Sequence, residues 1–353
     1  MTSPHMGQHD NGPARELGSP PPLVSLVVPC RNEELYLQSL LDSIERQSYP
    51  ASRVEIVFVD GMSGDGTIKI LSAFAERRTN VKIIPNPARF VPQAMNLGIR
   101  AATGAYVVRL DAHATYVDTY LETLITAAHS LGCDNVGCVF KTATRASTPK
   151  ASGIARALAH PIGVGNSLFR IGVQEPTEVD TVPFGCYRRL VFDRIGYYDE
   201  RLVRNQDIEL NRRLKRMGGH IFLLPALGGT YFCREDYQQL WQNNWDNGKW
   251  VVLTAAMTAN LSSLSVRHFV PLAFVSYLAI LPILAPISLA AILPLVVYVA
   301  LIATATLRQF RNSGGPRVAI HFAAAIVVLH ISYGLGSLAA VPHLLKLPRP
   351  RHE

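Results

Sequence analysis

The stretch VSLVVPCRNEE, residues 24–34, decides the fold class. It begins as an apolar, valine-rich strand and turns polar at Arg31. Residues 33–46 then place apolar side chains at the spacing of one helix face, at Leu37, Leu40, Leu41 and Ile44. A continuous apolar strand that leads into an amphipathic helix is typical of a sheet that helices cover on both faces.

The same alternation continues along the chain. We expect further strands at residues 54–59, 81–84, 105–110 and 136–140, and helices at 67–77, 91–102 and 117–130. A loop-rich stretch is expected from there to about residue 180. This pattern predicts an α/β domain with a mainly parallel sheet, and ligands bind such sheets at the carboxyl ends of the strands.

Polar segments follow the first four strands, at residues 29–33, 60–66, 86–89 and 111–113. The last of these segments holds Asp111 and His113, which point to the same side if the chain is extended there. A carboxylate and an imidazole together bind a divalent ion such as Mn²⁺. The alternative is that Asp111 caps the next helix and His113 is an ordinary surface residue.

The segment DGMSGDGT, residues 60–67, brings two carboxylates and three glycines into one loop between a strand and a helix. Glycines let the backbone approach a ligand, and Asp60 has the acceptors to bind a nucleoside. The loop lacks the lysine and the spacing of a P-loop, which disfavours an ATPase. An Asx turn that caps the next helix explains the same residues equally well.

The C-terminal part of the chain predicts a membrane protein. Residues 269–307 carry no formal charge, and residues 318–345 contain only three titratable histidines. Because a crossing needs about 20 apolar residues, the first run is long enough for two crossings and the second for one. The sequence does not decide whether the third crossing exists, because Gly334 and Gly336 could break the helix in that segment.

The net charge of +8 does not indicate nucleic-acid binding, because many basic residues lie beside the apolar runs, where anionic lipids would meet them. These residues are Arg267, Arg308, Arg311, Arg317, Lys346, Arg349 and Arg351. Five cysteines, an odd number, fit single buried thiols in a reducing compartment better than disulfides or a zinc site.

Four ordered motifs, VSLVVPCRNEE, VDGMSGDGT, RLDAHA and RNQDIELNRRL, resemble those of the family 2 glycosyltransferases, which are inverting enzymes of GT-A fold. The segments HPIGVGNSLFR, VDTVPFGCY and RLVRNQDIEL are similar to the membrane-attached exopolysaccharide enzymes of the succinoglycan glucosyltransferase group. The resemblance covers residues 23–250 and implies a UDP-sugar as donor.

The resemblance also assigns tasks to single residues. It implies that uracil and ribose are held by Pro29, Arg31, Glu33 and Asp60, and that Arg89 and Asn96 face the nucleotide or the donor sugar. Asp111 and His113 stand at the family's DxD metal site, where Asp111 also meets the donor. Histidine in place of the second aspartate softens the site toward Mn²⁺, and Mg²⁺ stays open.

The resemblance implies that Asp207, in the Asn-Gln-Asp segment, is the general base that takes the proton of the acceptor hydroxyl. Glu209 is the competing candidate. The alternative for both carboxylates is pairing on a solvated helix, and the basic residues nearby in sequence are Arg204, Arg212 and Arg213.

All three tryptophans fall within residues 241–250, which predicts a helix at the membrane interface. The Gln-x-x-Arg-Trp motif of processive synthases is absent, which favours transfer of a single sugar. Arg234, Gln242 and Lys249 are candidate contacts to the diphosphate or the acceptor.

We expect five parts of the chain: a disordered leader 1–22, a GT-A catalytic domain 23–235, interfacial helices 236–266, a transmembrane region 267–347 and a basic tail 348–353. The expected reaction moves one hexose, glucose from UDP-glucose, to a lipid-linked acceptor, a polyprenyl-diphosphate saccharide. The alternatives are a processive polysaccharide synthase and a non-catalytic membrane scaffold. We expect a multi-pass protein of the inner membrane whose catalytic domain is in the cytoplasm. The expected partners then include membrane lipids and exclude nucleic acid.

Overall fold

The computed structural model describes residues 20–258, 268–311 and 315–344. Most of the predicted leader, the end of the predicted interfacial region and the basic tail lie outside the described residues. The described strands are β1 (Val24–Cys30), β2 (Val54–Asp60), β3 (Val81–Pro85), β4 (Tyr106–Arg109), β5 (Ala114–Tyr116), β6 (Asn135–Ala143), β7 (Thr177–Glu178), β8 (Cys186–Arg188) and β9 (Ile221–Phe232).

The helices that accompany these strands are α1 (Glu34–Glu45), α2 (Thr67–Ala75), α3 (Val91–Ala101), α4 (Tyr120–Ser130), α5 (Pro149–Leu158), α6 (Pro161–Val164), α7 (Leu168–Ile171), α8 (Leu190–Ile195) and α9 (Gln206–Arg216). They are followed by α10 (Tyr237–Met257), α11 (Val270–Leu284), α12 (Leu293–Gln309) and α13 (Gly315–Leu344).

One mixed sheet carries the domain, with the strand order β3-β2-β1-β4-β8-β6-β9-β5, and β7 pairs with β9. The four strands from β3 to β4 are parallel, as the sequence predicts. Side chains alternate across β1: Leu26 and Val28 pack with Leu37 of α1, whereas Val27 packs with Met95 of α3. Helices therefore cover both faces, and the polar segments after β1, β2 and β4 meet at one edge.

The stretch that was expected to be rich in loops forms three helices, α5, α6 and α7. The side chain of Thr148 caps α5 by accepting from the Ala151 N–H at 3.1 Å. The apolar side of α5 is small, Ala151, Ile154 and Ala157, and it packs in one cluster with Phe322 of α13. The expectation was wrong because the partner of this short apolar side lies far away in the sequence.

Two of the described helical segments, Leu289–Gln309 and Gly315–Leu344, are long and apolar enough to cross a membrane, rather than the three that we expected. The first apolar run is divided, since α11 has only 15 residues and contains Pro282. At 1.5 Å per residue α11 extends about 22 Å, which is short of a hydrocarbon core of about 30 Å.

The glycines of α13 allow close helix packing and do not break the helix, which is continuous from Gly315 to Leu344. A Cβ at Gly336 would lie 2.1 Å from the Trp245 carbonyl oxygen, and one at Gly334 would lie 2.3 Å from the Pro271 carbonyl oxygen. Helix α13 is therefore packed tightly against α10, and α11 packs on the other side of α13.

All five cysteines are free and buried, as expected. Burial, with the nearby Asp60 carboxylate as a second cause, raises the pKa of Cys30 to about 12. Burial also raises the pKa of Cys138 to about 12. These thiols are core side chains and not nucleophiles.

Candidate active site

Three side chains from two segments meet at the carboxyl edge of the sheet. His113 Nδ1 lies 3.0 Å from Asp111 Oδ1 and 3.5 Å from Glu33 Oε1. Asp111 lies two residues after the end of β4 at Arg109, and its backbone N–H donates to Tyr116 Oη at 2.7 Å. The pair predicted for a metal is thus brought together, and Glu33, which was predicted to hold the nucleoside, faces the same imidazole.

The environment of His113 favours its charged form. Burial opposes the imidazolium, but the carboxylates of Asp111 and Glu33 outweigh it and raise the pKa of His113. The ring contacts two aromatic side chains, with centroids 6.1 Å from Tyr36 and 5.5 Å from Tyr231. The imidazole is therefore packed against one ring from α1 and one from β9.

The donor chemistry of this group fits a divalent ion such as Mn²⁺ or Mg²⁺. Asp111 and His113 offer a carboxylate and an imidazole whose side chains keep about a fifth of their surface exposed. Only the neutral imidazole binds a metal, so an ion at this place would displace the proton that the two carboxylates favour. Within the described ranges, no group of three or more His, Cys, Asp or Glu side chains forms a complete metal site. Asp111 and His113 could therefore hold an ion only as part of a coordination shell, and phosphate oxygens of a ligand have the chemistry to complete it.

The loop after β2 shows the turn that was predicted as the alternative for Asp60. Asp60 is buried, and its two carboxylate oxygens accept from Ser63, from the backbone N–H at 3.0 Å and from Oγ at 2.5 Å. Asp65 accepts from the Thr67 N–H at 3.0 Å at the start of α2. The turn fixes the loop beside Arg31, whose side chain lies against Gly61.

The other residues predicted for the donor differ in how far the surrounding structure fixes them. Pro29 pairs with Val59 in the parallel register of β1 and β2. Arg89 is exposed and has a positive φ of 65°. Asn96 is buried, and its amide nitrogen donates to the Tyr198 carbonyl at 3.0 Å and to Glu200 Oε1 at 2.8 Å. Both donors of Asn96 are used, so in this structure it fixes the segment around Tyr198.

Asp207 lies in the first turn of α9 and is paired with a buried arginine. Arg109 Nη1 lies 2.6 Å from Asp207 Oδ1 and 2.5 Å from Oδ2. Burial disfavours the charge of Arg109, but Asp207 outweighs burial and raises the pKa of the guanidinium. Arg109 is two residues before Asp111, so both point to the same side of the chain if it stays extended there. Arg109 thus links the predicted base to the end of β4, the strand that the metal pair follows.

Sequence reasoning did not identify Arg109, although RLDAHA was one of its motifs. The available signal was a charged residue at the end of a strand whose residues are all buried. A buried charge needs a partner, and for Arg109 the partner lies 98 residues further along the chain.

Glu209, the competing candidate for the base, is bound within its own helix. Arg213 Nε and Nη2 donate to its carboxylate at 2.7 and 2.8 Å, and Arg213 Nη2 also donates to the Tyr197 carbonyl at 2.6 Å. The pairing that was predicted as an alternative for both acids is therefore observed for Glu209. Asp207 pairs with the sheet instead.

The three candidate diphosphate or acceptor contacts are not grouped together. Arg234 is exposed and close enough to His113 to influence its pKa. Gln242 Nε2 donates to Asp246 Oδ1 at 3.1 Å along α10, and Lys249 Nζ lies 3.3 Å from His343 Nε2 at the end of α13. Of the three, Arg234 is the one whose charge lowers the pKa of His113, against the effect of the carboxylates.

Comparison with known proteins identifies the domain. The model of the family "Glycosyl transferase family 2" matches residues 25–196. The succinoglycan biosynthesis protein ExoA of Rhizobium meliloti (strain 1021) is 31% identical over 221 residues, 62% of this chain and 66% of that protein. A dolichyl N-acetyl-alpha-D-glucosaminyl phosphate 3-beta-D-2,3-diacetamido-2,3-dideoxy-beta-D-glucuronosyltransferase of Methanococcus voltae is 25% identical over 61% of this chain and 68% of its own length. The alignments thus span about two thirds of these relatives.

Solved structures share the fold. The mannosyltransferase PcManGT from Pyrobaculum calidifontis, in complex with GDP-Man and Mn²⁺, superposes with a TM-score of 0.54 at 19% identity, over 90% of this chain and 87% of that one. S. aureus TarS gives a TM-score of 0.50 at 16% identity, over 86% of this chain and 55% of that one. Residues 25–196 therefore form a glycosyl transferase family 2 domain, and the chain is related to enzymes of exopolysaccharide biosynthesis and has an α/β fold of the GT-A type.

Proposed function

We propose that the chain is an inverting transferase that moves a single hexose from a UDP-sugar, with glucose as the expected hexose, to a lipid-linked acceptor. One observation carries the proposal: the Asp207 carboxylate is paired with Arg109, two residues before Asp111 of the metal pair. A base on α9 that is bound to the end of β4, two residues before the metal pair begins, suits a reaction in which an alcohol attacks as a diphosphate leaves.

Asp207 takes the proton of the acceptor hydroxyl as that oxygen bonds to the anomeric carbon. Asp111 and His113 would hold Mn²⁺ or Mg²⁺, which neutralises the charge on the leaving diphosphate when bound. Base and leaving group act on opposite faces of the sugar, so one displacement inverts the anomeric configuration. Arg109 holds the carboxylate of Asp207 in a fixed orientation.

The segments after β1 and β2 form the proposed nucleotide end. Arg31, Asp60 and Glu33 lie there beside Pro29, and Arg89 follows β3. Among the structural neighbours, PcManGT was solved with GDP-Man and Mn²⁺, which supports a nucleotide sugar as the donor class. The carboxylates of Asp111 and Glu33, which lie beside His113, support the proposal of a divalent metal ion there.

The acceptor is proposed to be a polyprenyl-diphosphate saccharide in a membrane. Two observations support it: relatives whose names include succinoglycan biosynthesis and a dolichyl phosphate sugar, and the two apolar helical segments at the C-terminal end. We place the catalytic domain, residues 23–235, in the cytoplasm, where nucleotide sugars are made, with residues 236–266 at the surface of the inner membrane and residues 267–347 within it.

The test is UDP release from a panel of nucleotide sugars in detergent with Mn²⁺ or Mg²⁺, for the wild type and Asp207→Asn. We expect one UDP-hexose to be used and Asp207→Asn to lose at least about 10²-fold in rate. The matched control is Asp134→Asn, because Asp134 is also paired with an arginine, Arg194 at 3.2 Å, but precedes β6 at the opposite edge. Unchanged release by Asp207→Asn would remove this residue from its role.

Product length on a defined acceptor tests single transfer. One added hexose per acceptor is the expected product, and a ladder of longer products would instead identify a processive synthase.

A further inference from the structure

Two arginines outside the proposed chemistry stack on the aromatic rings that flank His113. The Arg145 guanidinium lies 4.0 Å from the ring centroid of Tyr36, and the Arg170 guanidinium lies 5.2 Å from that of Tyr231. Each also lies over a second ring, Phe232 at 5.1 Å for Arg145 and Phe169 at 5.0 Å for Arg170. The metal pair is therefore bordered by two guanidinium groups that aromatic rings hold in place.

Most hydrogen-bond donors of these two side chains are unused. Within the described ranges neither forms an ion pair with a carboxylate; Arg145 Nη1 donates to the Leu35 carbonyl at 3.3 Å and Arg170 Nη1 to Thr142 Oγ1 at 3.4 Å. A guanidinium has five N–H donors, and stacking occupies its faces while its edge stays available. A planar edge with parallel N–H groups matches the oxygens of a phosphate.

These arginines come from different segments than the proposed nucleotide contacts, although Arg145 reaches Leu35 and Tyr36, which directly follow the segment after β1. Arg145 follows β6 and Arg170 is on α7, whereas the proposed nucleotide contacts follow β1 and β2. In the sheet β6 and β9 lie on the other side of β4 from β1 and β2. From β9 the chain continues through exposed Arg234 into α10, which packs against the apolar helix α13.

We infer that Arg145, Arg170 and Arg234 form a second anion site, which binds the phosphate group that links a lipid acceptor to its saccharide. It lies beside the metal pair, and its residues come from the segment after β6, from α7 and from the segment after β9, rather than from the segments after β1 and β2 that are proposed to hold the nucleotide. The inference deepens the proposed function and rests on it. The site lies between the reacting centre and the apolar helices, which is where the charged linkage of such an acceptor has to lie while its lipid stays in the membrane.

The test measures binding rather than turnover. Undecaprenyl diphosphate in detergent is titrated into the full chain after saturation with UDP and Mn²⁺, so that the donor site is filled. We expect Arg145→Gln and Arg170→Gln each to weaken binding about tenfold, as the loss of a charge-assisted hydrogen bond predicts, with UDP affinity changed less than about twofold. Arg170→Lys is expected to restore part of the affinity because it keeps the charge.

The matched control is Arg100→Gln, because Arg100 is exposed and also stacks on a ring, 4.8 Å from the centroid of Tyr197. It should bind undecaprenyl diphosphate like the wild type. Melting curves establish that every variant is folded.

Several outcomes would overturn the inference. Weaker UDP binding with unchanged undecaprenyl diphosphate binding would assign the arginines to the donor. Unchanged binding of both ligands would remove the site. Equal loss of binding to phosphatidylglycerol vesicles would identify a general contact to anionic lipid. A wild type that binds undecaprenyl diphosphate but releases UDP from no nucleotide sugar would instead contradict the proposed function and leave the anion site standing.

Discussion

Replacing Arg109 by glutamine leaves the Asp207 carboxylate without the guanidinium that orients it. The side chain of Arg109 is 11% exposed and that of Asp207 is 30% exposed. Removing one partner of a buried ion pair costs about 3–5 kcal/mol, and the partial exposure of Asp207 places the expected loss at the lower end, about 3 kcal/mol. For a domain of the size of residues 23–235 that corresponds to a melting temperature lower by roughly 6–12 °C.

The effect on turnover should exceed the effect on substrate binding. A catalytic group displaced by about 1 Å can cost about 10²-fold in rate, so we expect kcat of Arg109→Gln to fall by about that factor, with the KM for the donor within about threefold. Arg109→Lys keeps the charge but loses the bidentate fork, and we expect an intermediate kcat. UDP release at saturating donor and acceptor, together with melting curves, gives both quantities.

A control on the same helix separates stability from catalysis. Arg213→Gln removes the ion pair to Glu209 and the donation to the Tyr197 carbonyl. It should lower the melting temperature comparably while kcat stays within about threefold of the wild type. If Arg109→Gln instead loses stability but keeps the wild-type kcat, the arginine is structural and its positioning role is refuted.

Two further predictions concern stability. Burial raises the pKa of Glu55, but hydrogen bonds from Ser25, Thr103 and Gly104 outweigh burial and lower the pKa below its ordinary value of about 4.5. The contribution of Glu55 is therefore present above pH 4.5 and lost as the pH falls through the lower pKa of the folded state. In chemical denaturation, Glu55→Gln should have a lower free energy of unfolding than the wild type at pH 7, and this difference should shrink below about pH 4.5. The control Glu76→Gln, at an exposed position, should show neither effect. A difference in unfolding free energy that does not depend on pH would contradict the assignment. Gly336→Val places side-chain atoms where a Cβ already lies 2.1 Å from the Trp245 carbonyl oxygen, so we expect a loss of about 1–3 kcal/mol or more, seen as a lower melting temperature in detergent. Leu338→Ala on the exposed side of α13 is the control, and equal melting of Gly336→Val and wild type would show that α10 and α13 do not pack this closely.

The parts of the fold that sequence predicted are those that local pattern determines. Strands β1 to β4 are short apolar runs that end in polar residues, and their order along the chain already implies a parallel sheet. The rule that parallel strands present their carboxyl ends at one edge was sufficient to group Glu33, Asp111 and His113. No knowledge of the side-chain contacts was needed for this.

The parts that sequence did not predict depend on contacts between distant segments. The Arg109–Asp207 pair joins residues 98 apart, and the apolar side of α5 is completed by Phe322. From sequence alone, Gly334 and Gly336 are compatible either with a helix break or with a close contact between helices. The positions of Pro271 and Trp245, which lie against these glycines, decide for the close contact. Local composition contains none of this information.

The turn that carries Asp207 is held from two directions. From the sheet, Arg109 binds the carboxylate itself. From the other side, Arg204 donates to Asn243 Oδ1 at 3.1 Å and to Asn247 Oδ1 at 2.8 Å, both on α10. Between them Asn205 takes a left-handed conformation with φ of 61°, which starts α9 at this point.

Because α10 is packed on α13 through Gly336, the turn that carries the proposed base is tied through α10 to the apolar helices as well as to the strand of the metal pair. Under the proposed function, a lipid-bound acceptor meets a carboxylate whose position depends on both. The apolar helices then take part in positioning the base and are more than an anchor for the domain.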